Sequence, residues 1–254
     1  MSKDQIFVAV SDFVPQKALE YAQKTALAYE KEICLIPITD NSPAETLAQK
    51  CSEATGMKVN FLEGNHAALF SETLEKEEAA MVVFEVSDKK PFSNISYLLK
   101  ISRDLRIPYI FVKTNFPEIK FHRVIVPITF LTEEREKGMF ASAFGRFFKS
   151  EILLMPAKDY GSKAAATCRS IKQLLNKHDL NHSELTAQKD SYKVEMDAVM
   201  KAKIFDADIA IITASREYGL DDIIFGPKEL HIIKKSEIPL MVLNPRGDLY
   251  VLCY

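Results

Sequence analysis

The chain has no tryptophan, only four cysteines and a nearly neutral charge balance, with 33 Lys+Arg against 35 Asp+Glu in 254 residues. The missing tryptophan excludes nothing. Cys34, Cys51, Cys168 and Cys253 are scattered and form no CxxC pair, so a reduced, cytoplasmic setting is the simple expectation, with Cys34 and Cys168 as small buried hydrophobes. A net charge of −2 gives no basic field for nucleic acid or anionic lipid, and neither is expected as a partner. No apolar run approaches membrane-span length, and Met-Ser-Lys-Asp-Gln at the start lacks the apolar core of a secretory signal. Hydrophobic residues make up 47% of the chain, enough for one large domain or two small ones.

What is present is a regular alternation of short apolar runs and helical periods. Residues 6–10 (Ile-Phe-Val-Ala-Val) and 33–38 (Ile-Cys-Leu-Ile-Pro-Ile) read as buried strands. Between them, Ala18, Leu19, Ala22, Ala26 and Leu27 fall at helical spacing, with Pro15 tolerated in the first turn. A helix over 43–55 stops at Gly56. A strand over 57–62, a helix over 69–79, a strand over 80–86, a helix over 95–105 and a strand over 108–113 complete the first half. The second half repeats the series. Strands are expected over 124–128, 152–156, 183–188, 208–213 and 240–244, and helices over 133–149, 164–178, 194–206 and 227–236.

The two halves agree in letters as well as in order. Lys31-Glu-Ile-Cys-Leu-Ile-Pro37 matches Ser150-Glu-Ile-Leu-Leu-Met-Pro156, and each is followed three residues later by an aspartate, Asp40 or Asp159. Arg106-Ile-Pro-Tyr-Ile-Phe-Val112 matches Glu237-Ile-Pro-Leu-Met-Val-Leu243. Apolar strands alternating with amphipathic helices imply parallel sheets covered on both faces. The fold class is therefore α/β: two tandem, doubly wound, parallel five-stranded sheets. The boundary falls at residues 115–122, around Pro117, giving repeats of 1–116 and 117–254.

This duplicated five-strand unit resembles a tandem universal stress protein. The likeness rests on Val8-Ala-Val-Ser-Asp12 with Lys17-Ala-Leu-Glu-Tyr-Ala22, on Val124-Ile-Val-Pro127, and most on Ile224-Phe-Gly226 through His231-Ile-Ile-Lys-Lys-Ser-Glu-Ile-Pro-Leu-Met-Val242. It covers essentially the whole chain. The resemblance implies a Rossmann-like nucleotide-binding frame with an Asp after the first strand. It also implies a G-x-x-G-x9-G-[S/T] loop after the fourth, whose backbone donors and helix N-terminus cradle phosphates. In the second half Ala214 falls at the first glycine, Glu217 at the second, Gly226 at the third and Pro227 at the Ser/Thr position. Glu217 would repel a triphosphate, and Pro227, harmless at a first helical position, removes an N–H and a hydroxyl. Hydrogen bonds to a charged group contribute about 1.5–3 kcal/mol each. Losing two costs roughly 3–6 kcal/mol, or about two to four decades of affinity. Thr129 or its neighbour stands where the Asp is expected. In the first half the loop Asp-Lys-Lys-Pro-Phe-Ser-Asn has no glycine, while Asp12 lies one step from the acidic position and Ser87 matches Ser215.

The candidate binding residues are thus Asp12, Ser87, Thr129, Ala214, Ser215, Arg216, Gly226, Pro227 and Lys228. Arg216, Lys228 and the Ser215 hydroxyl suit a small anion, and ATP or another adenine nucleotide is the alternative ligand. No metal site is expected, because His178 and His182 flank a helix end with no further ligands. No Ser-His-Asp or Cys-His pattern supports hydrolase chemistry, so the chain is read as a non-enzyme. Glu133-Glu-Arg-Glu-Lys137 reads as a charged first turn. The strands over 108–113 and 239–244 end their sheets with open edges. In the resembled family such strands pair, which implies an intramolecular pseudo-two-fold dimer here, a homodimer being the alternative. The apolar tail over 249–254 is expected to dock on that seam or on a second chain. Functionally, the expectation is a regulatory, ligand-binding module of the stress response with degenerate nucleotide pockets and an unknown protein partner. The alternatives are an ATP-binding form with slow hydrolysis in the second repeat, and a structural interaction protein without ligand. The side chains of Phe13, Phe92, Phe130 and Tyr218 decide whether the pockets are filled.

Overall fold

The structure is a computed structural model and describes residues 4–87, 89–215 and 226–245. The chain divides into two compact units, Met1–Ile119 and Lys120–Tyr254. Arg216, Glu217, Tyr218 and the tail over 249–254 lie outside the described residues.

In unit 1 the elements run β1 (Ile6–Val10), α1 (Gln16–Tyr29), β2 (Ile33–Pro37), α2 (Ala44–Thr55), β3 (Val59–Phe61), α3 (Phe70–Lys76), β4 (Met81–Val86), α4 (Ile95–Ser102) and β5 (Tyr109–Lys113). The strands lie in the order β3-β2-β1-β4-β5, and each neighbouring pair is parallel. In unit 2 they run β6 (Arg123–Ile128), α5 (Glu136–Phe148), β7 (Glu151–Pro156), α6 (Lys163–Lys177), β8 (His182–Glu184), α7 (Val194–Met200), β9 (Ile209–Thr213), α8 (Lys228–Lys235) and β10 (Leu240–Leu243). The order is β8-β7-β6-β9-β10, again parallel throughout. Every residue of β1, β2, β4, β9 and β10 is buried, as continuous apolar runs covered on both faces require.

Three helices open behind a proline. Pro15, Pro43 and Pro227 each sit just ahead of α1, α2 and α8, and their carbonyls accept from Leu19, Leu47 and Leu230. Pro227 is thus the residue before the helix and not its first residue, as the sequence had implied. A proline cannot cap with its side chain, and α1 solves this from outside. Glu85 Oε2, near the end of β4, accepts from the Lys17 and Ala18 amides at 2.6 and 3.0 Å. Burial pushes the Glu85 carboxyl up despite these two donors.

Other differences from the expected boundaries have local causes. The segment 133–137 does not start as a regular helix. Thr132–Arg135 form a 3-10 turn, and Glu133, Glu134, Glu136 and Lys137 are all buried. Residues 194–206 divide into α7 and a 3-10 turn, Ala202–Phe205, closed by left-handed Asp206. The strand expected over 183–188 is shorter and earlier, at His182–Glu184.

Candidate functional sites at the strand ends

In a sheet of this order the chain moves outward in opposite directions from β1 and β4, or from β6 and β9. Between the carboxyl ends of those two strands lies the crevice where open α/β sheets hold ligands. Val10 pairs with Pro37 and Ile128 with Pro156, so Ser11 and Asp12 correspond to Thr129 and Phe130.

In unit 1 this crevice is an open cavity of about 300 Å³. Asp12 follows β1, Asp40 follows β2, Asn65 follows β3, Lys90 follows β4, and Tyr97 projects from α4. Asp12 is 61% exposed and faces Lys90 Nζ at 3.3 Å. Lys90 and the Ser11 hydroxyl hold the Asp12 carboxyl below its usual value. Lys90 also lies 5.3 Å from the centre of the Phe13 ring. Asn65 Nδ2 donates to Asp40 Oδ1 at 2.9 Å, and the Tyr97 hydroxyl donates to the Ile38 carbonyl at 2.9 Å. Phe92 packs edge-on against Tyr97 and stays 43% exposed. Neither Phe13 nor Phe92 closes the crevice. Several backbone donors at its rim are already engaged. The Ser87 amide bonds to Ser93 O, the Ser93 amide to Lys90 O, and the Tyr97 amide to Asn94 Oδ1. Ser87 itself is not among the lining residues.

In unit 2 the described residues at the ends of β6 and β9 hold a buried ion cluster, and residues 216–225 after β9 lie outside the description. Lys137 Nζ uses its three protons on Pro127 O (2.8 Å), Glu134 Oε2 (2.7 Å) and Glu195 Oε1 (2.9 Å), with its side chain fully buried. Thr213, the last residue of β9, donates its hydroxyl to Glu134 and its amide to Glu195, both at 2.8 Å. Lys228, the first residue of α8, reaches Glu195 Oε2 at 2.8 Å. Two carboxylates and two ammoniums thus neutralise one another at the ends of β6 and β9. Burial alone would push the Glu195 carboxyl up, but Lys137, Lys228 and the Thr213 amide outweigh it and bring it down to about 2. The Glu195 carboxylate raises Lys228 against its own desolvation.

This cluster changes what several sequence candidates do. Lys228 and the Ser215 hydroxyl, expected to attract a small anion, are committed within the protein. Lys228 pairs with Glu195, and Ser215 Oγ and N both donate to Glu229 Oε2, at 2.9 and 3.2 Å. The Thr129 amide donates to Glu134, and the Ala214 amide to Leu243 O in the sheet. Gly226 has φ +79°, a left-handed conformation that favours glycine, and a Cβ there would also have to displace the end of the Leu230 side chain. The outer loops are tied as well. Asp159 accepts from the Ser191 amide at 2.9 Å and from its hydroxyl, while the Phe130 amide donates to Ser191 Oγ at 2.8 Å. Phe130 lies edge-on to Tyr192.

Glu85, Lys90, Asn65, Tyr97 and Glu195 were not singled out by the sequence, and Glu134 and Lys137, expected in a charged first turn, are instead buried in the cluster. A usable signal was a charged residue inside an otherwise apolar period, such as Glu85 in Met81–Val86 or Glu195 in Val194–Met200. Among the described residues no group of His, Cys, Asp or Glu is placed to hold a metal, and Cys34, Cys51 and Cys168 are buried and unpaired. Among those residues, too, no helix is long and apolar enough to cross a membrane.

No protein-family model and no characterised protein matches the sequence. Solved structures do match the fold. A universal stress protein from Archaeoglobus fulgidus DSM 4304 aligns with TM-score 0.67 and 14% identity over 94% of this chain and 98% of its own. A candidate universal stress protein from Pseudomonas aeruginosa UCBPP-PA14 gives 0.64 and 15% over 96% and 94%. The cytoplasmic domain of a prokaryotic cation chloride cotransporter gives 0.60 and 12% over 99% and 100%. The chain therefore has the universal stress protein fold over nearly its whole length.

Proposed function

We propose that the chain is a regulatory module of the universal stress type, acting in the cytoplasm without turnover. Its first unit binds a small ligand and its second is closed by its own side chains. The observation that supports this reading is the contrast between the two units: an open polar cavity beside Asp12 and Lys90 in the first, against a neutral, bonded cluster around Lys137 in the second. Two carboxylates and one ammonium border the open cavity, which favours an uncharged, hydroxyl-bearing ligand over a phosphorylated one. Adenosine is the natural probe, given the resemblance in the sequence.

Calorimetric titration with adenosine, AMP and ATP, with and without magnesium, tests the proposal. The expected result is one site per chain, with affinity that does not rise as phosphates are added and that is lost in Tyr97→Ala. Two sites per chain, ATP binding far tighter than adenosine, or no heat with adenosine would each overturn it.

A further inference from the structure

A second cavity recurs in both units, between helices and bordering the strand-end residues. In unit 2 a groove of about 430 Å³ lies between α7 and α8. In unit 1 a groove of about 460 Å³ lies between the start of α3 and α4. Counting back from the prolines before the last strands, Pro108 and Pro239, Ile101 in the first groove corresponds to Ile232 in the second. The space thus belongs to the repeated helix pair and not to one loop.

The two grooves differ in lining. In unit 2, Met196, Met200 and Ile232 give an apolar floor, and Lys189, Lys193 and Lys228 border it. The carboxylates on this groove are already neutralised. Glu195 pairs with Lys137 and Lys228, and Asp197 with Lys201 at 2.9 Å. Lys189 and Lys193 are exposed and have no ion-pair partner among the described residues. The groove therefore presents a net positive rim over an apolar floor, with two thioethers that adapt to an irregular chain. In unit 1 the sign is reversed, with Glu72 and Asp104 against Lys100.

We infer that the unit 2 groove binds a small amphiphilic carboxylate, its chain on Met196, Met200 and Ile232 and its head group beside Lys189 and Lys193. The apolar floor sets affinity through chain length, since each buried methylene strengthens binding roughly fourfold. The rim sets the preference for an acid, an effect that salt weakens. This site shares no proposed ligand contact with the unit 1 crevice, so either can fail without the other.

The experiment is titration of the full chain with decanoate, hexanoate and decanol, followed by calorimetry and by NMR of the methionine methyl groups. Decanoate should saturate one site below about 1 mM with shifts at Met196 and Met200, and hexanoate should bind at least about tenfold more weakly. The double charge reversal Lys189→Glu, Lys193→Glu should weaken decanoate about tenfold or more and leave decanol unchanged. Met200→Asp, at an exposed position, should weaken both ligands. Absence of saturation by 1 mM decanoate, equal binding of hexanoate, or full affinity in the doubly reversed chain would overturn the inference.

Discussion

The two units place the same contact, between the end of the fourth strand and the start of the first helix, in opposite chemical order. In unit 1 the strand brings the carboxylate: Glu85 on β4 accepts from the amides of α1. In unit 2 the corresponding strand residue is Thr213, a donor, and the carboxylate comes from the turn before α5 as Glu134. The exchange has consequences. A carboxylate satisfied by two backbone amides needs no counter-cation, so unit 1 leaves its crevice to half-exposed side chains. Glu134 is satisfied by Lys137, whose other protons call for a second carboxylate, Glu195, and Glu195 in turn holds Lys228. One reversal of polarity thus recruits α5, α7 and α8 into one buried network.

The largest expected effect follows from removing the centre of the network. Lys137→Met leaves Glu134 and Glu195 buried without their shared cation, which costs about 3–5 kcal/mol. Lys90→Met in unit 1 breaks an exposed pair and should cost under about 1 kcal/mol. Urea unfolding of both variants makes the comparison. The triple variant Glu134→Gln, Lys137→Met, Glu195→Gln removes the buried unpaired carboxylates, leaves only the partly exposed Lys228 without its partner, and should recover much of the loss. Equal stabilities for Lys137→Met and Lys90→Met would show that the buried network does not set the two units apart in stability.

Acid should separate the units next. Glu195 is depressed from 4.5 to about 2, so its contribution is present above the unfolded value and is lost as the pH falls through that window. The loss amounts to up to about 3 kcal/mol in unit 2. Glu85 is shifted upward, so the opposite sign holds. Its contribution is full below the unfolded value near 4.5 and disappears as the pH rises through the raised folded value. Hydrogen exchange resolved by peptide should show unit 1 gaining protection on mild acidification from neutral pH, and unit 2 losing it below about pH 4.5. Glu85→Gln should abolish the unit 1 response alone. Parallel responses of the two units would remove the distinction.

How much of this was legible beforehand follows from what a linear pattern encodes. The strands β1, β2, β4, β9 and β10 are continuous apolar runs, and their burial on both faces could be read directly. The match of Lys31–Pro37 with Ser150–Pro156 disclosed the common order of elements, including the aspartates Asp40 and Asp159 that tie loops together in each unit. The crevice was another matter. Pro227 and Ala214 departed from the expected phosphate cradle, but did not disclose the charge cluster around Lys137. Glu134 with Lys137 looks like any solvated helix start until α7 brings Glu195 from 58 residues away. Long-range pairing of charges has no period. Tyr97 was hidden for a related reason, because its position on α4 matters only through its bond to Ile38, 59 residues earlier.

The smallest expected effect on stability is also the one that best sharpens the comparison, and it lies at Asp12. Asp12 is mostly exposed, and its partner Lys90 is held at 3.3 Å, so the pair contributes little to folding. Asp12→Asn keeps shape and hydrogen-bonding capacity while removing the charge. Stability should change by less than about 1 kcal/mol. Adenosine binding should weaken about tenfold, because a charged acceptor facing a ligand hydroxyl becomes a neutral one. The counterpart in unit 2, Phe130→Asp, places the same carboxylate beside Ser191 and Tyr192, but the neighbouring cluster stays bonded, so no second site should appear. A loss of several kcal/mol in Asp12→Asn would mean that unit 1, too, is held by its crevice charges. In that case the two units would differ in degree and not in kind.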